Sequence, residues 1–366
     1  MRICIFGAGA IGGFVAAHLS RVKGLEVSVV ARGAHLAAIR EHGLRVVTPQ
    51  GEIVARVRAT DRAEELGAQD LVFIALKQHQ VPAALPLLAT LLGPDTTVVP
   101  PTTGIPYWYF HGLGGAHGGR QVDRLDPGGA SWRTLAPERA LGCVYWVATE
   151  VTEPGLIHHD GKLLRFPIGE PDGSVSPRLQ RLADAMNAAG LNAQIVPDIR
   201  AWIWAKMISS LAWNPLALLT EATLDRLTAS TEVIAIVRRL MREAEVVAEA
   251  LGVQRWPITT DERIAAARNA GAHRMSMLQD WQRGRPLEIN VLTDSIDAMR
   301  ELAGVATPAI DAIYALLRLR IDSTSPPADT GCSPTIRDAG LAVPDSSAPE
   351  PHAHCAVRPV RPVRPD

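Results

Sequence analysis

The hydrophobic pattern changes its period at about Pro197. Before this point, short apolar runs typical of buried parallel strands alternate with helical stretches. After it, apolar residues recur at helical spacing. The sequence therefore predicts an α/β domain with a Rossmann-like fold over residues 1–197 and an all-α domain over residues 198–322. Residues 323–366 are rich in Pro, Ser and Ala, and we expect a disordered tail.

The predicted elements follow one another closely in both domains. In the first domain the pattern predicts strands at 2–6, 26–31, 70–76, 97–100 and 193–196, strand-like segments at 140–150, 155–159 and 163–168, a hairpin at 43–58 turning near 49–51, and helices at 11–21, 36–42 and 176–189. The glycine-rich stretch 111–137 is expected to be an excursion containing a hairpin. In the second domain it predicts helices at about 198–220, 230–252, 259–270, 274–284, 286–303 and 307–321.

A glycine-rich turn joins the first predicted strand to the first predicted helix. It consists of Gly7, Ala8, Gly9, Ala10, Ile11 and Gly12. Strand, turn and helix form the context that the dinucleotide fingerprint requires. The first glycine permits a tight turn, the second lets the backbone approach a pyrophosphate, and the third allows the helix to pack closely on the strand. The helix N-terminus attracts phosphate, so the motif predicts a dinucleotide cofactor.

Two basic residues follow the ends of later strands. The second strand ends at Arg32, where NAD-preferring sites usually have a carboxylate. Because a guanidinium can bind a 2′-phosphate through two hydrogen bonds, Arg32 predicts NADP(H) rather than NAD(H). The alternative is an ordinary exposed arginine. The strand at 70–76 ends at Lys77, on the sheet edge where ligands bind in open α/β folds.

The stretch Ala201–Thr220 is apolar nearly all round, which predicts an interior helix. Lys206, Ser210 and Asn214 interrupt it at steps of four and therefore share one stripe. An ammonium is costly to bury without a partner, so this stripe is a candidate catalytic site. The alternative is a snorkelling lysine beside two satisfied polar groups. Pro215 is expected to kink or break the helix near Asn214.

A second candidate segment lies in the helical domain. Ser276 stands among apolar helix formers, and the interruption Arg283–Pro286 separates it from Glu288. Glu288 is expected in the first turn of the next helix, where the helix dipole favours a carboxylate. The alternative for Glu288 is a simple N-terminal capping charge.

Composition and charge exclude several classes of function. The net charge is −1, which gives no reason to expect a nucleic acid or an anionic membrane as partner. The four cysteines show neither a disulfide framework nor metal-ligand spacing, and Cys4 and Cys143 are expected in the core. No signal peptide or membrane-spanning run is seen, so a cytoplasmic protein without a metal is predicted. A metal site among Cys332, His352, His354 and Cys355 of the tail is a minor alternative.

These motifs, in this order, resemble the ketopantoate reductase (2-dehydropantoate 2-reductase) family over roughly residues 1–320. The segment SMLQDWQRGRPLEI contributes strongly to the resemblance. The resemblance implies a Rossmann domain that holds NADPH and a helical domain of the 6-phosphogluconate dehydrogenase C-terminal type. A small 2-oxo acid would lie in the cleft between them.

The resemblance also implies roles for individual residues. Lys206 matches the general acid that protonates the ketone oxygen, and Glu288 matches the glutamate that holds this lysine and the substrate. Ser276 and Asn214 match residues that bind polar groups of the substrate. Lys77 matches a lysine near the cofactor. Protonation by a lysine agrees with the chemistry, because hydride addition to a carbonyl develops an oxyanion.

Two positions depart from the family pattern. Thr103 stands where the family commonly has an asparagine in the loop expected at the cofactor, and Ser210 replaces an asparagine expected at the substrate. Each change shortens an amide to a hydroxyl, which reaches less far and has one donor instead of two. The main prediction is NADPH-dependent reduction of 2-dehydropantoate to (R)-pantoate. Reduction of another 2-oxo acid and a non-catalytic NADP(H) sensor are the alternatives, and a homodimer is compatible with the resemblance.

Overall fold

The computed structural model of the protein describes residues 1–324. Within them the strands end at Ile195, and a helical part begins at Ile199. The predicted order, an α/β domain followed by a helical domain, is confirmed. Residues 325–366 of the predicted tail, with the four possible metal ligands, lie outside the described residues.

The α/β part contains most of the strands and helices that the hydrophobic pattern predicts, and it adds the strand Arg58–Thr60 and the helix Ala130–Leu135. The predicted segment 140–150 is divided between two strands, and the strand predicted at 97–100 begins at Leu92. In chain order the strands and helices are β1 (Arg2–Phe6), α1 (Ala10–Leu19), β2 (Glu26–Val30), α2 (Gly33–His42), β3 (Leu44–Thr48), β4 (Gly51–Ala55), β5 (Arg58–Thr60), β6 (Gln69–Ile74), α3 (Val81–Ala89), β7 (Leu92–Val99), α4 (Ala130–Leu135), β8 (Gly142–Cys143), β9 (Trp146–Glu153), β10 (Leu156–Gly169), α5 (Pro177–Ala188) and β11 (Ala193–Ile195).

The helical part includes one short helix, α7, that the hydrophobic period did not predict. Its helices are α6 (Ile199–Thr220), α7 (Leu224–Ala229), α8 (Thr231–Ala250), α9 (Thr260–Asn269), α10 (Ser276–Gln282), α11 (Ile289–Ala303) and α12 (Pro308–Thr324). Among the described helices, none combines the length and the apolar character needed to cross a bilayer.

Five parallel strands form the sheet that carries the glycine turn. Their order is β5-β2-β1-β6-β7, which is the strand order of the first five strands of a dinucleotide-binding fold. The order reverses between β1 and β6. The turn after β1 and Lys77 after β6 therefore lie on the same edge of the sheet, at the point where ligands bind in such folds.

A second, mixed sheet is built around β10. This strand pairs in parallel with β3 and β11 and antiparallel with β8 and β9. The sequence predicted two segments, 155–159 and 163–168, where the structure has one strand. They are continuous because the extra residues are absorbed in a register shift between His159 and Leu164, with Gly161 at a φ of 75°.

Side chains of β1 alternate between two cores, which explains why this strand is apolar throughout. Ile3 and Ile5 pack with α1 and α5 in the core between the two sheets. Cys4 and Phe6 face a core that is continuous with the interior of the helical part. Cys143 is also fully buried, so both cysteines predicted in the core lie there. The helical part thus rests on one face of the parallel sheet.

The helix α6 passes through Pro215 without interruption, so the expected break near Asn214 is absent. A proline has no N–H to donate to the carbonyl four residues earlier, which is that of Leu211. The structure supplies another donor: the Tyr314 hydroxyl lies 3.4 Å from the Leu211 oxygen. This contact from α12 gives the freed carbonyl a partner.

The prediction of a hairpin within residues 111–137 is wrong. The segment contains turns and the helix α4 instead. The Asp126 carboxylate accepts hydrogen bonds from the backbone N–H groups of Ser131 and Trp132, each at 2.8 Å, and so stabilises the first turn of α4. The glycine-rich composition of this segment correctly predicted an irregular chain. The segment has no alternating apolar pattern that would support two paired strands.

We expect Gly12→Ala to destabilise the fold by about 1–3 kcal/mol, the usual cost of overpacking. A Cβ at Gly12 would lie 2.0 Å from the Gly7 oxygen and 2.6 Å from the Ala75 Cβ. Gly9→Ala is the matched control, because a Cβ there meets no atom within 4 Å. Urea unfolding of both variants measures the difference. Equal midpoints for Gly12→Ala and the wild type would contradict the packing argument.

Candidate active site

The glycine turn leaves its backbone accessible at the sheet edge. Gly7 has a φ of 105°, a conformation that favours glycine, and Gly9 is exposed with open space around its Cα. A cleft of about 150 Å³ opens here. Its lining residues are Phe6, Gly7, Ala8, Gly9, Val30, Ala31, Arg32, His35 and Leu76. Ala10 and Ile11 form the first turn of α1, so its free N–H groups point toward this cleft.

Arg32 is exposed on the rim of the same cleft, at the residue preceding α2. Its guanidinium and the glycine turn are therefore on one surface. The residues present fit an NADP-type dinucleotide: the turn and the helix N-terminus suit a pyrophosphate, and the exposed Arg32 guanidinium suits a further phosphate.

His35 is a residue of the cleft that sequence reasoning missed. The Gly155 N–H donates to its Nδ1 at 2.9 Å, so Nε2 carries the proton and donates to the Ala8 oxygen at 2.7 Å. His35 thereby holds the glycine turn against α2 and the second sheet. A single histidine three residues after Arg32 has no motif that would have indicated this contact.

Lys206 lies on α6 with its side chain partly buried in an otherwise apolar interior. Its Nζ donates to the Tyr145 carbonyl at 3.1 Å and lies 5.2 Å from the centre of the Tyr145 ring. Burial lowers the pKa of Lys206 from 10.5 to about 8, and the negative charge of Glu288 acts in the opposite direction. The amine is therefore mostly protonated at neutral pH but can release its proton readily.

The two polar residues that follow Lys206 on α6 differ in their surroundings. Ser210 is partly buried. Asn214 is buried. Its Oδ1 accepts from the Met277 N–H at 3.4 Å, and its Nδ2 donates to the Ser210 backbone carbonyl oxygen at 3.2 Å. Since Ser276 precedes Met277 and is exposed at the start of α10, Asn214 brings Ser276 to the polar stripe of α6.

Glu288 immediately precedes α11 rather than lying within its first turn, as the sequence had predicted. The apolar pattern predicted a helix over 286–303, whereas α11 begins three residues later, at Ile289. Glu288 Oε1 accepts from the backbone N–H of Gln78 at 3.3 Å. The carboxylate thus links the helical part to the carboxyl end of β6.

Lys77 makes a second link between the same regions. Its Nζ lies 2.7 Å from Asp280 Oδ2 on α10 and 3.2 Å from the Pro286 oxygen. Arg283 also pairs with Glu150 of β9. Lys77 was predicted from its strand end, but Asp280 was not, because nothing local in the sequence relates the two positions.

The loop after β7 packs directly on α11. The Ile105 N–H donates to Ser295 Oγ at 2.9 Å, and a Cβ on Gly104 would lie 2.3 Å from that oxygen. The loop therefore requires glycine beside Thr103, which is partly exposed on the same edge of the sheet. Thr102 donates to the Cys143 carbonyl at 2.7 Å.

The predicted residues thus fall into two groups along one edge of the parallel sheet. The first is the cleft of the glycine turn and Arg32. The second lies along α6, where Glu288 acts electrostatically on Lys206. Asn214 is hydrogen bonded there to the Ser210 carbonyl and to the N–H of Met277, the residue after Ser276. Among residues 1–324, no group of three or more His, Cys, Asp or Glu side chains could hold a metal ion. A glycine turn at a helix N-terminus and an amine with a lowered pKa are groups that suit reduction of a carbonyl group.

Comparison with known proteins agrees with this geometry. The family model "Ketopantoate reductase PanE/ApbA" matches residues 3–105, and "Ketopantoate reductase PanE/ApbA C terminal" matches residues 198–320. A 2-dehydropantoate 2-reductase of Mesorhizobium japonicum is 48% identical over 319 residues, which are 87% of this chain and 97% of the relative.

Solved structures show the same architecture. A proposed ketopantoate reductase of Ralstonia solanacearum MolK2 is 35% identical with a TM-score of 0.79, over 88% of this chain and 98% of that one. The 2-dehydropantoate 2-reductase of Geobacter metallireducens GS-15 is 26% identical with a TM-score of 0.76, over 87% of this chain and 100% of that one. The chain belongs to the ketopantoate reductase family.

Proposed function

We propose that the chain is an NADPH-dependent 2-dehydropantoate 2-reductase, which forms (R)-pantoate. The observation that carries this proposal is the position of Lys206, a half-buried amine within the field of Glu288. The 48% identity to a reductase of this name, over most of both chains, supports the substrate. Such an enzyme contributes to pantothenate biosynthesis.

Lys206 is the general acid in this proposal. NADPH, held by the glycine turn and Arg32, would supply the hydride that adds to the ketone carbon. The Lys206 ammonium gives a proton to the ketone oxygen, so that the C=O group becomes CH–OH. One ammonium proton is held by the Tyr145 carbonyl at 3.1 Å, which leaves two for Glu288 and the substrate. A pKa of about 8 suits this task, because proton transfer is efficient when the pKa of the acid is near the working pH.

The substrate would contact the polar residues around Lys206. We assign the hydroxyls of Ser210 and Ser276 to its polar groups, since both residues retain accessible surface. Asn214 is buried and bonded to α10, so it would act on the substrate largely by holding Ser276 in place. Glu288 would hold Lys206 and exclude a competing orientation of the amine.

The cofactor would be held by the cleft of the glycine turn. We assign the six residues Gly7 to Gly12 to the pyrophosphate and Arg32 to the 2′-phosphate, which accounts for the preference for NADPH. Thr103 and Lys77 border the same sheet edge. Lys77 would act there while paired with Asp280, whose carboxylate lies 2.7 Å from its amine.

A second candidate is reduction of a different 2-oxo acid. It is favoured by Thr103 and Ser210, which replace the amides common in the family by shorter hydroxyls. Polar groups that lack a partner discriminate strongly between substrates, so these two positions bear on substrate choice. A non-catalytic NADP(H) sensor is disfavoured, because a pure binder needs no proton donor in an apolar helix.

We propose a domain boundary at Pro197, in line with the start of the C-terminal family match at residue 198. We propose a cytoplasmic enzyme that acts on a small molecule and binds no nucleic acid, because Cys4 and Cys143 are free thiols and the net charge is −1. A homodimer is proposed from the family resemblance alone.

Replacing Lys206 by Ala is expected to lower kcat/KM for 2-dehydropantoate by about 10²–10⁴-fold, the usual contribution of a positioned general acid. In the wild type, kcat/KM is expected to fall as the pH rises through about 8, because only the protonated amine can donate. Lys23→Ala is the control, since Lys23 is exposed. Turnover of Lys206→Ala within a few-fold of the wild type would refute the acid role.

Replacing Arg32 by Ala is expected to weaken NADPH binding by about ten- to a hundredfold, the range for a lost charge-assisted hydrogen bond. NADH, which has no 2′-phosphate, should be affected little. Dissociation constants from nicotinamide fluorescence measure both effects, with the exposed Arg21→Ala as the control. Equal losses for the two nucleotides would exclude the 2′-phosphate role.

A further inference from the structure

One residue, Tyr145, makes two different contacts with the Lys206 amine. Its carbonyl oxygen accepts from Nζ at 3.1 Å, and the centre of its ring lies 5.2 Å from Nζ. The ring distance is within the range in which an aromatic face attracts a cation. The other groups that act on the amine are Glu288, next to α11, and the Cys143 thiol of β8. Burial raises the pKa of Cys143, so its thiol is neutral and Glu288 is the charged neighbour.

Tyr145 is itself fixed to the parallel sheet. Its hydroxyl lies 3.3 Å from the Pro100 carbonyl oxygen, immediately after β7. Its ring packs against Phe73 of β6 at a centroid distance of 5.4 Å and against Phe166 of β10 at 6.2 Å. Tyr145 thus connects the carboxyl edge of the parallel sheet to the amine on α6.

We propose that Tyr145 is a positioning residue: its carbonyl and the face of its ring hold the Lys206 ammonium in a fixed position relative to the carboxyl ends of β6 and β7. This inference rests on the proposed function, because the position of the amine matters only if Lys206 donates a proton. The carbonyl occupies one proton of the ammonium, and the ring supports the positive charge without occupying another. The remaining protons are free to face the substrate and Glu288.

The hydroxyl of Tyr145 has no part in positioning the Lys206 amine in this proposal. Burial raises the pKa of Tyr145 well above its usual value, so the phenol keeps its proton. Its only described acceptor is the Pro100 carbonyl, a structural contact within residues 1–324. The aromatic ring and the hydroxyl can therefore be tested separately, with Tyr145→Phe for the hydroxyl and Tyr145→Leu for the ring. Both substitutions keep the backbone carbonyl.

The test is the pKa of Lys206, measured by NMR on protein labelled at the lysine side chains. The chain has four lysines, Lys23, Lys77, Lys162 and Lys206, so the Lys206 signal can be assigned by single Lys→Arg variants. In Tyr145→Phe the pKa should remain that of the wild type. In Tyr145→Leu it should fall by about half to one and a half pH units, the shift expected for loss of a cation–π contact. The alkaline limb of the kcat/KM profile should move toward acid pH by the same amount, and kcat should fall.

Two results would overturn the inference. One is a Lys206 pKa in Tyr145→Leu equal to that of the wild type, and the other is an equal fall in Tyr145→Phe and Tyr145→Leu. If Tyr145→Leu does not fold, Tyr145→Met fills more of the space without an aromatic face and replaces it. The NMR titration needs no substrate, so it decides the role of Tyr145 even if the wild type fails to reduce 2-dehydropantoate, a result that would count against the proposed function alone.

Discussion

The cost of burying the Lys206 amine is the constraint on which the site depends. An ammonium taken out of water is disfavoured, and this lowers the pKa of Lys206 to about 8. The negative charge of Glu288 limits this lowering, and the Tyr145 carbonyl at 3.1 Å and the face of its ring at 5.2 Å also stabilise the charged amine. As a result, the amine is mostly protonated near neutral pH but releases its proton more readily than a lysine in water. The apolar side chains around α6 desolvate the amine and lower its pKa, and the polar partners limit this lowering.

This balance requires the helical part to be held in register with the parallel sheet. Glu288 can act on Lys206 only if the start of α11 stays at the end of β6, and its contact with the Gln78 N–H at 3.3 Å keeps it there. The pair of Lys77 and Asp280, 2.7 Å apart, fixes α10 to the same place. The close approach at Gly104 fixes the loop after β7 to α11. The contacts that set the chemistry of Lys206 therefore also join the two halves of the fold.

The sequence was sufficient where the determining interactions are local. The turn Gly7–Gly12 is flanked by its own strand and helix, so its context could be predicted from neighbouring residues. The stripe of Lys206, Ser210 and Asn214 followed from helical spacing alone. Prediction failed where the deciding contact is with a residue distant in sequence. The Leu211 carbonyl, which Pro215 leaves without a helical donor, has the Tyr314 hydroxyl as its partner, 103 positions along the chain from Leu211. The contacts of His35 with Ala8 and Gly155, and the pairing of Lys77 with Asp280, are of the same kind and have no local signature.

We propose that the site reduces a 2-oxo acid with NADPH and that 2-dehydropantoate is this acid. The most direct measurement is the loss of nicotinamide absorbance with NADPH and 2-dehydropantoate, with NADH as the control cofactor and a panel of other 2-oxo acids as control substrates. We expect turnover that is specific for NADPH and a kcat/KM that is highest for 2-dehydropantoate. A higher kcat/KM for another 2-oxo acid would contradict the substrate assignment, and NADPH binding without turnover of any of these acids would show that the protein is not a 2-oxo acid reductase.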